Sequence, residues 1–261
     1  MDKVNVLGVQ VALARLQDVL DFICEAMTGN QRALITHVNV MGALLAYENE
    51  WMRRFLNASD LVYCDGMGVK LGARLLGYDI PERFTLADWV WQLAALAERK
   101  GFSIFLLGNP PGVAETAASR LKEKMPDLLI AGAQHGYFEK SPDHPENLAV
   151  LEKINAAETD ILLVGFGMPV QEKWLQENWN RLDVQVAISV GALFEYVAGE
   201  LKRGPRWMTE HYMEWLARTI ISPRRYAKRY LHDTPLFLYR ILYQKFFGLN
   251  ERDHSQETDK Q

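Results

Sequence analysis

The chain predicts an α/β fold built on a largely parallel, helix-covered sheet, and three observations carry that reading. Apolar, β-branched runs alternate with amphipathic stretches as far as Gly191, several of the runs stop at glycine turns that open a helix, and after Gly191 the alternation ends with no convincing strand beyond it. Alternating β and α segments pack as parallel strands with helices on both faces, a Rossmann-like layout.

The elements follow in order. Strands are expected at 4–9, 33–36, 60–64, 103–107, 128–133, 161–165 and 184–190, each a short apolar run bounded by turn residues. Helices are expected at 89–100, 112–124, 145–157 and 170–180, where apolar residues recur near the 3.6-residue period. Later segments read as helices around 210–221, 223–231 and 235–247. Residues 1–201 are therefore expected to form an α/β body, 202–249 a helical appendage, and the polar, charged stretch 250–261 a disordered tail.

Charge divides the chain at the same place. From Lys202 to Lys245 there are ten Lys or Arg against three acids, a charge of +7, which leaves −11 for the remainder of a chain whose net charge is −4. Aromatic residues, among them Trp207, Tyr212, Trp215, Phe237, Tyr239, Phe246 and Phe247, are interleaved with those cations. This composition suits the interface of an anionic membrane, with rings at headgroup depth and Lys/Arg on phosphates. The bland alternative is that the rings pack the appendage on the body. An isoelectric point near 5.9 and the lack of a helix-turn-helix, zinc or RNP signature argue against nucleic acid.

Other classes fall away on composition. Two cysteines, Cys24 and Cys64, make neither a disulfide framework nor a metal site. Together with the absence of an apolar leader, they point to a cytoplasmic location. No apolar run approaches the roughly 20 residues of a membrane span. There is no G-x-S-x-G, H-E-x-x-H, P-loop or Asp-x-Asp, and Gly165-x-Gly167 and Gly66-x-Gly68 both lack the third glycine of a dinucleotide fingerprint. No metal and no cofactor are expected, and arginines and helix dipoles would have to meet any diphosphate charge.

The most informative segment is 61–70, where an apolar run ends in Asp65-Gly66-Met67-Gly68 and places a carboxylate at the carboxyl edge of the sheet, the ligand side of open α/β folds. Capping of the next helix is the competing reading of Asp65. Glycine turns at Gly66, Gly68, Gly108, Gly165 and Gly167 are candidate phosphate cradles, each following a strand and preceding a helix. Thr36, His37 and Asn39 offer hydroxyl, imidazole and amide groups at the same edge, although Thr36 or Asn39 could serve only as a helix cap. The remaining histidines, His232 included, read as structural or surface residues.

Taken in order, Thr36-His37-Val38-Asn39, Asp65-Gly66-Met67-Gly68, Gly136-Tyr137-Phe138, Gly165 to Glu172, Ser189-Val190-Gly191-Ala192, Lys202-Arg203-Gly204-Pro205 and Ser222-Pro223-Arg224-Arg225 resemble the WecG/TagA/CpsF glycosyltransferases. The resemblance implies an inverting transferase that moves an N-acetylmannosamine-type or related sugar from UDP to a polyprenyl-diphosphate-linked saccharide in cell-envelope or exopolysaccharide synthesis, on the inner membrane face. It implies Asp65 as base with Arg83 beside the chemistry, and Thr36, His37, Asn39, Gln171, Arg218, Arg225 and Lys228 as substrate contacts. The chain departs from the family pattern where His37 holds the usual Thr position of T-x-N. The alternatives are a noncatalytic membrane-surface scaffold and an NAD(P)-dependent oxidoreductase. The body could also self-associate as a homo-oligomer.

Overall fold

The computed structural model describes residues 1–201 and 229–249. Six parallel strands, β3 (Ala33–Val38), β4 (Leu61–Cys64), β5 (Ser103–Gly108), β6 (Leu129–Gln134), β7 (Ile161–Gly165) and β8 (Val186–Ser189), form one sheet in the order β4-β3-β8-β7-β5-β6. The central strands β3, β7 and β8 are buried at every residue, which is why they read as continuous apolar runs.

The run expected as one strand at 4–9 is instead a hairpin, β1 (Lys3–Val6) paired antiparallel with β2 (Val9–Ala12). Leu7 and Gly8 both have positive φ (51° and 89°), the geometry of a two-residue turn whose twist matches its flanking strands. Gly8 supplies half of that turn without strain, and the apolar pattern continues unbroken across it, so the turn left little mark on the pattern.

Helices cover both faces. On one side α1 (Leu16–Thr28), α5 (Leu86–Lys100), α6 (Val113–Lys124) and α9 (Leu193–Val197) pack over Ile35, Tyr63, Leu106, Leu163 and Ile188. On the other, α2 (Val40–Glu48), α3 (Glu50–Ala58), α4 (Met67–Leu75), α7 (Pro145–Ala156) and α8 (Val170–Asn178) enclose Leu34, Val62, Phe105, Leu162 and Ala187 with the hairpin. Helix α5 starts three residues earlier than its apolar period suggests, because Asp88 accepts from both the backbone N–H and the hydroxyl of Thr85 (3.1 and 2.8 Å) and so caps it.

The late helix expected at 235–247 is α10 (Thr234–Phe247). Phe237 and Ile241 are fully buried and belong to the same hydrophobic cluster as α2, α4 and the hairpin. Gly72 on α4 makes this possible, since a Cβ there would stand 2.7 Å from the Phe237 ring. Gln244 ties the helix to the hairpin by accepting from Leu7 N–H (3.0 Å) and donating to the Asn5 carbonyl (2.8 Å). The outer face leaves Tyr239, Leu242, Phe246 and Phe247 exposed. The helices expected at 210–221 and over most of 223–231, and the tail, lie outside the described residues.

Because Phe237 is fully buried, Phe237→Ala is expected to lower stability by about 3–5 kcal/mol, measured by urea unfolding. A change within the scatter of surface substitutions, about 0.5 kcal/mol, would show that α10 is not anchored on the body.

Candidate active site

The carboxyl ends of β3, β4, β7 and β8 open into a cavity of about 640 Å³. The amino ends of α2, α5 and α8 reach it through Asn39, Thr85 and Pro169. Each helix N-terminus carries a partial positive charge of roughly half a unit. Among the described residues lining the cavity there is no Lys or Arg, while Glu48, Asp65 and Asp233 are acidic. Helix ends therefore carry the positive potential that these residues supply.

Asp65 lies at the tip of β4 on the cavity wall. Its backbone N–H donates to Val38 (2.9 Å), and it forms a parallel bridge with Phe84, so the segment before α5 is laid against it. The capping alternative does not hold: Gly66 is the N-cap of α4, at φ 94°, and makes no side-chain cap. The carboxylate is free to face the cavity, with Oδ2 3.9 Å from His37 Nε2.

Along β3, alternation separates two neighbours that the sequence presents together. His37 faces the cavity, with Nδ1 3.0 Å from the Ser189 carbonyl. Thr36 points to the opposite face of the sheet, is fully buried, and its hydroxyl lies outside the cavity lining. Thr36 is therefore not a substrate contact here, because successive strand residues face opposite ways. Asn39 lines the cavity and caps α2, its Oδ1 accepting from Gly42 N–H at 3.0 Å.

Gln171 lines the cavity and also holds its walls together. Its side chain is fully buried, and Oε1 accepts from Gly167 N–H (3.1 Å) and Gly191 N–H (2.9 Å) while Nε2 donates to Glu172 Oε1 (2.8 Å). Both lone pairs of the amide oxygen are engaged. Gln171 thus clasps the loops that follow β7 and β8, and the Gly167 N–H is used by the protein rather than left for a phosphate. The other glycines serve packing. A Cβ on Gly68 would meet Val40 at 2.3 Å, one on Gly108 the Gly165 carbonyl at 2.4 Å, and one on Gly165 the Gly191 carbonyl at 2.8 Å. Gly66 makes the turn into α4, and of the five phosphate-cradle candidates only Gly167 lines the cavity.

Arg83 is half-buried beside Phe84, outside the cavity lining, and its charge helps oppose the rise of the Cys64 thiol, which burial pushes to about 12. Arg218, Arg225 and Lys228 lie outside the described residues. Tyr196 on α9 and His232 with Asp233 just before α10, on either side of that stretch in sequence, both line the cavity. His232, expected to be structural or on the surface, is thereby a cavity residue, hydrogen-bonded to Asp233 at 3.0 Å. Nothing in its flanking sequence distinguished it. Among the described residues no three His, Cys, Asp or Glu stand together as a metal site.

Glu172 is fully buried, with Oε2 unpartnered. Burial raises its pKa, against smaller lowering effects from the Gln171 hydrogen bond and the charge of His37. A carboxyl whose pKa is raised on folding holds its proton more tightly in the native chain than in the unfolded one. The stability it contributes is complete below the ordinary carboxylate range and is lost as pH rises through the raised value. Glu172→Gln, neutral throughout and still able to accept from Gln171, is expected to lack that loss, so thermal midpoints of the two proteins should converge at low pH and separate as pH rises. Parallel curves would show that Glu172 is ionised in the native chain.

The model of the Glycosyl transferase WecG/TagA/CpsF family matches residues 4–251. An N-acetylglucosaminyldiphosphoundecaprenol N-acetyl-beta-D-mannosaminyltransferase of Bacillus subtilis (strain 168) is 29% identical over 230 residues, 86% of this chain and 87% of the relative. A protein of the same name from Staphylococcus aureus (strain MRSA252) is 26% identical over 243 residues, 92% of each chain.

Proposed function

The chain belongs to the WecG/TagA/CpsF family of glycosyltransferases, and from that premise we propose that it transfers an N-acetylmannosamine-type or related hexose from a UDP-sugar to a polyprenyl-diphosphate-linked saccharide, with inversion. The observation that carries the site assignment is Asp65, a lone carboxylate on a cavity that gathers three helix N-termini. The relatives' names support the acceptor class and a β-linked product, and a β product formed from an α-linked sugar nucleotide requires inversion. The dehydrogenase alternative finds no support in the glycine loops, whose Gly167 N–H is engaged by Gln171.

In this reading the acceptor hydroxyl approaches the sugar on the face opposite UDP and gives its proton to Asp65. Charge grows on the departing diphosphate. Fixed donors already oriented at that position stabilise it without reorganising, and the N-termini of α2, α5 and α8 suit that task. Arg83, Arg218, Arg225 and Lys228 remain proposed contributors of cationic donors, as the resemblance implies. No metal is assigned to the diphosphate.

Substrate chemistry also bears on location. No described helix is long and apolar enough to cross a membrane. We assign peripheral attachment at the cytoplasmic membrane face to the basic, aromatic appendage, whose α10 presents Tyr239, Phe246 and Phe247 outward. Rings at headgroup depth with nearby cations suit such a surface.

Incubation with a panel of UDP-sugars and a short lipid-diphosphate-linked GlcNAc acceptor, with products identified by mass, tests the proposal. No transfer from any member of the panel would refute it. Asp65→Asn is expected to keep UDP binding and lose activity about a hundredfold to ten-thousandfold, and near-normal turnover would remove Asp65 from the mechanism. Activity is expected to survive EDTA. Loss on chelation with recovery on Mg²⁺ or Mn²⁺ would place a metal on the diphosphate.

A further inference from the structure

Three contacts hold the imidazole of His37. Its Nδ1 lies 3.0 Å from the Ser189 carbonyl oxygen and 3.3 Å from the Ser189 hydroxyl, and its ring rests against Tyr63 with centroids 5.9 Å apart. Tyr63 is itself enclosed by Phe84 and Trp89, so the ring is seated on a dry aromatic wall. A carbonyl oxygen only accepts, so Nδ1 carries the hydrogen and the neutral ring has its lone pair at Nε2. That nitrogen is the one 3.9 Å from Asp65 Oδ2. The gap is too long for a direct hydrogen bond. It is short enough for one oxygen atom to stand within hydrogen-bond reach of both groups.

We infer that His37 is a second proton-handling residue, its Nε2 taking up, through one water that bridges it to Asp65 Oδ2, the proton that Asp65 abstracts from the acceptor hydroxyl. The inference rests on the reading of Asp65 as base. The bond from the acceptor oxygen to the sugar's anomeric carbon forms as the bond from that carbon to the UDP oxygen breaks. The electron pair of the broken bond leaves with UDP. The hydroxyl proton passes to the Asp65 carboxylate and, through the water that donates to Nε2, on to His37, which releases it to solvent when product departs.

The surroundings suit an imidazole that gains charge during turnover. The titratable groups facing His37 are Asp65 and Tyr63 from β4 and Glu172 from α8, with Glu48 of α2, His232 and Asp233 elsewhere on the cavity wall. Burial holds Tyr63 well above the usual phenol range and keeps it neutral. A cation on His37 would have the carboxylate of Asp65 beside it.

The test is the pH dependence of kcat/KM for the unmodified chain, His37→Asn, His37→Gln and Asp65→Asn, with UDP affinity measured calorimetrically for each. Asn keeps a donor for the Ser189 carbonyl, and Gln extends an amide toward the Nε2 position, but neither can take up a proton. The unmodified chain should lose rate on acidification, as His37 takes up a proton before turnover and can no longer accept one. In both His37 variants the rate should fall at least about tenfold and the acidic limb should move to lower pH, while UDP affinity is retained. An unmoved limb in both variants overturns the inference. Nitrogen NMR of the intact chain provides a reading independent of turnover, since an Nε2–H tautomer at pH 8 also overturns it. Near-normal turnover in Asp65→Asn would instead refute the assignment of the base, so the two failures are distinguishable.

Discussion

A single buried amide oxygen holds the site's shape. Gln171 Oε1 receives the N–H groups of Gly167 and Gly191, which belong to loops leaving adjacent strands, and its nitrogen is held in turn by Glu172. Two loops that would otherwise be independent become one wall. The backbones beneath them meet almost without side chains, Gly108 against Gly165 and Gly165 against Gly191, so the loops can come together at the sheet edge. The cost of this arrangement is a carboxyl in a place without water. Burial raises the pKa of Glu172 and so favours its protonated form, because a buried carboxylate is far more expensive than a neutral acid.

The electrostatics of the cavity follow from which groups point inward. The described lining is acidic in its side chains and positive in its helix ends, two features that act at different distances. A carboxylate acts on a proton it can touch, whereas helix N-termini act on a charge spread over several oxygens. In the proposed reading, Asp65 beside His37 handles a proton and the three helix ends nearby receive an anion. That division is what glycosyl transfer from a nucleotide demands.

Helix α10 links this chemistry to the outside of the molecule. Phe237 and Ile241 lock its inner face into the core, while Tyr239, Phe246 and Phe247 remain on its outer face. Arg240 joins Glu48 of α2 at 2.9 Å, on the helix that also borders the cavity. One short helix thus packs on the body, touches an element of the site and displays rings to the exterior. Its aromatic composition carries both of the readings available from sequence, packing and surface, on opposite faces.

Strand alternation, the carboxylate at the end of β4 and the cap at Asn39 were all determined by the sequence itself, because each depends on neighbours a few residues away. Period and turn chemistry act locally, and residue order displays them. The hairpin at Leu7-Gly8 belongs to the same class and was masked only because the apolar pattern continues through the turn. What the tertiary structure alone decided is where side chains meet across strands distant in sequence. Thr36 and His37 are adjacent, yet one enters the core and the other the cavity, a choice set by which face of the sheet borders the site. Gln171 reads as a ligand contact, and only the fold shows that its oxygen also accepts from Gly191, twenty residues on. His232 enters the cavity only because Phe237 and Ile241 dock α10 on the body. In each case the deciding partner lies on another element, and packing of the whole sheet brings it into contact.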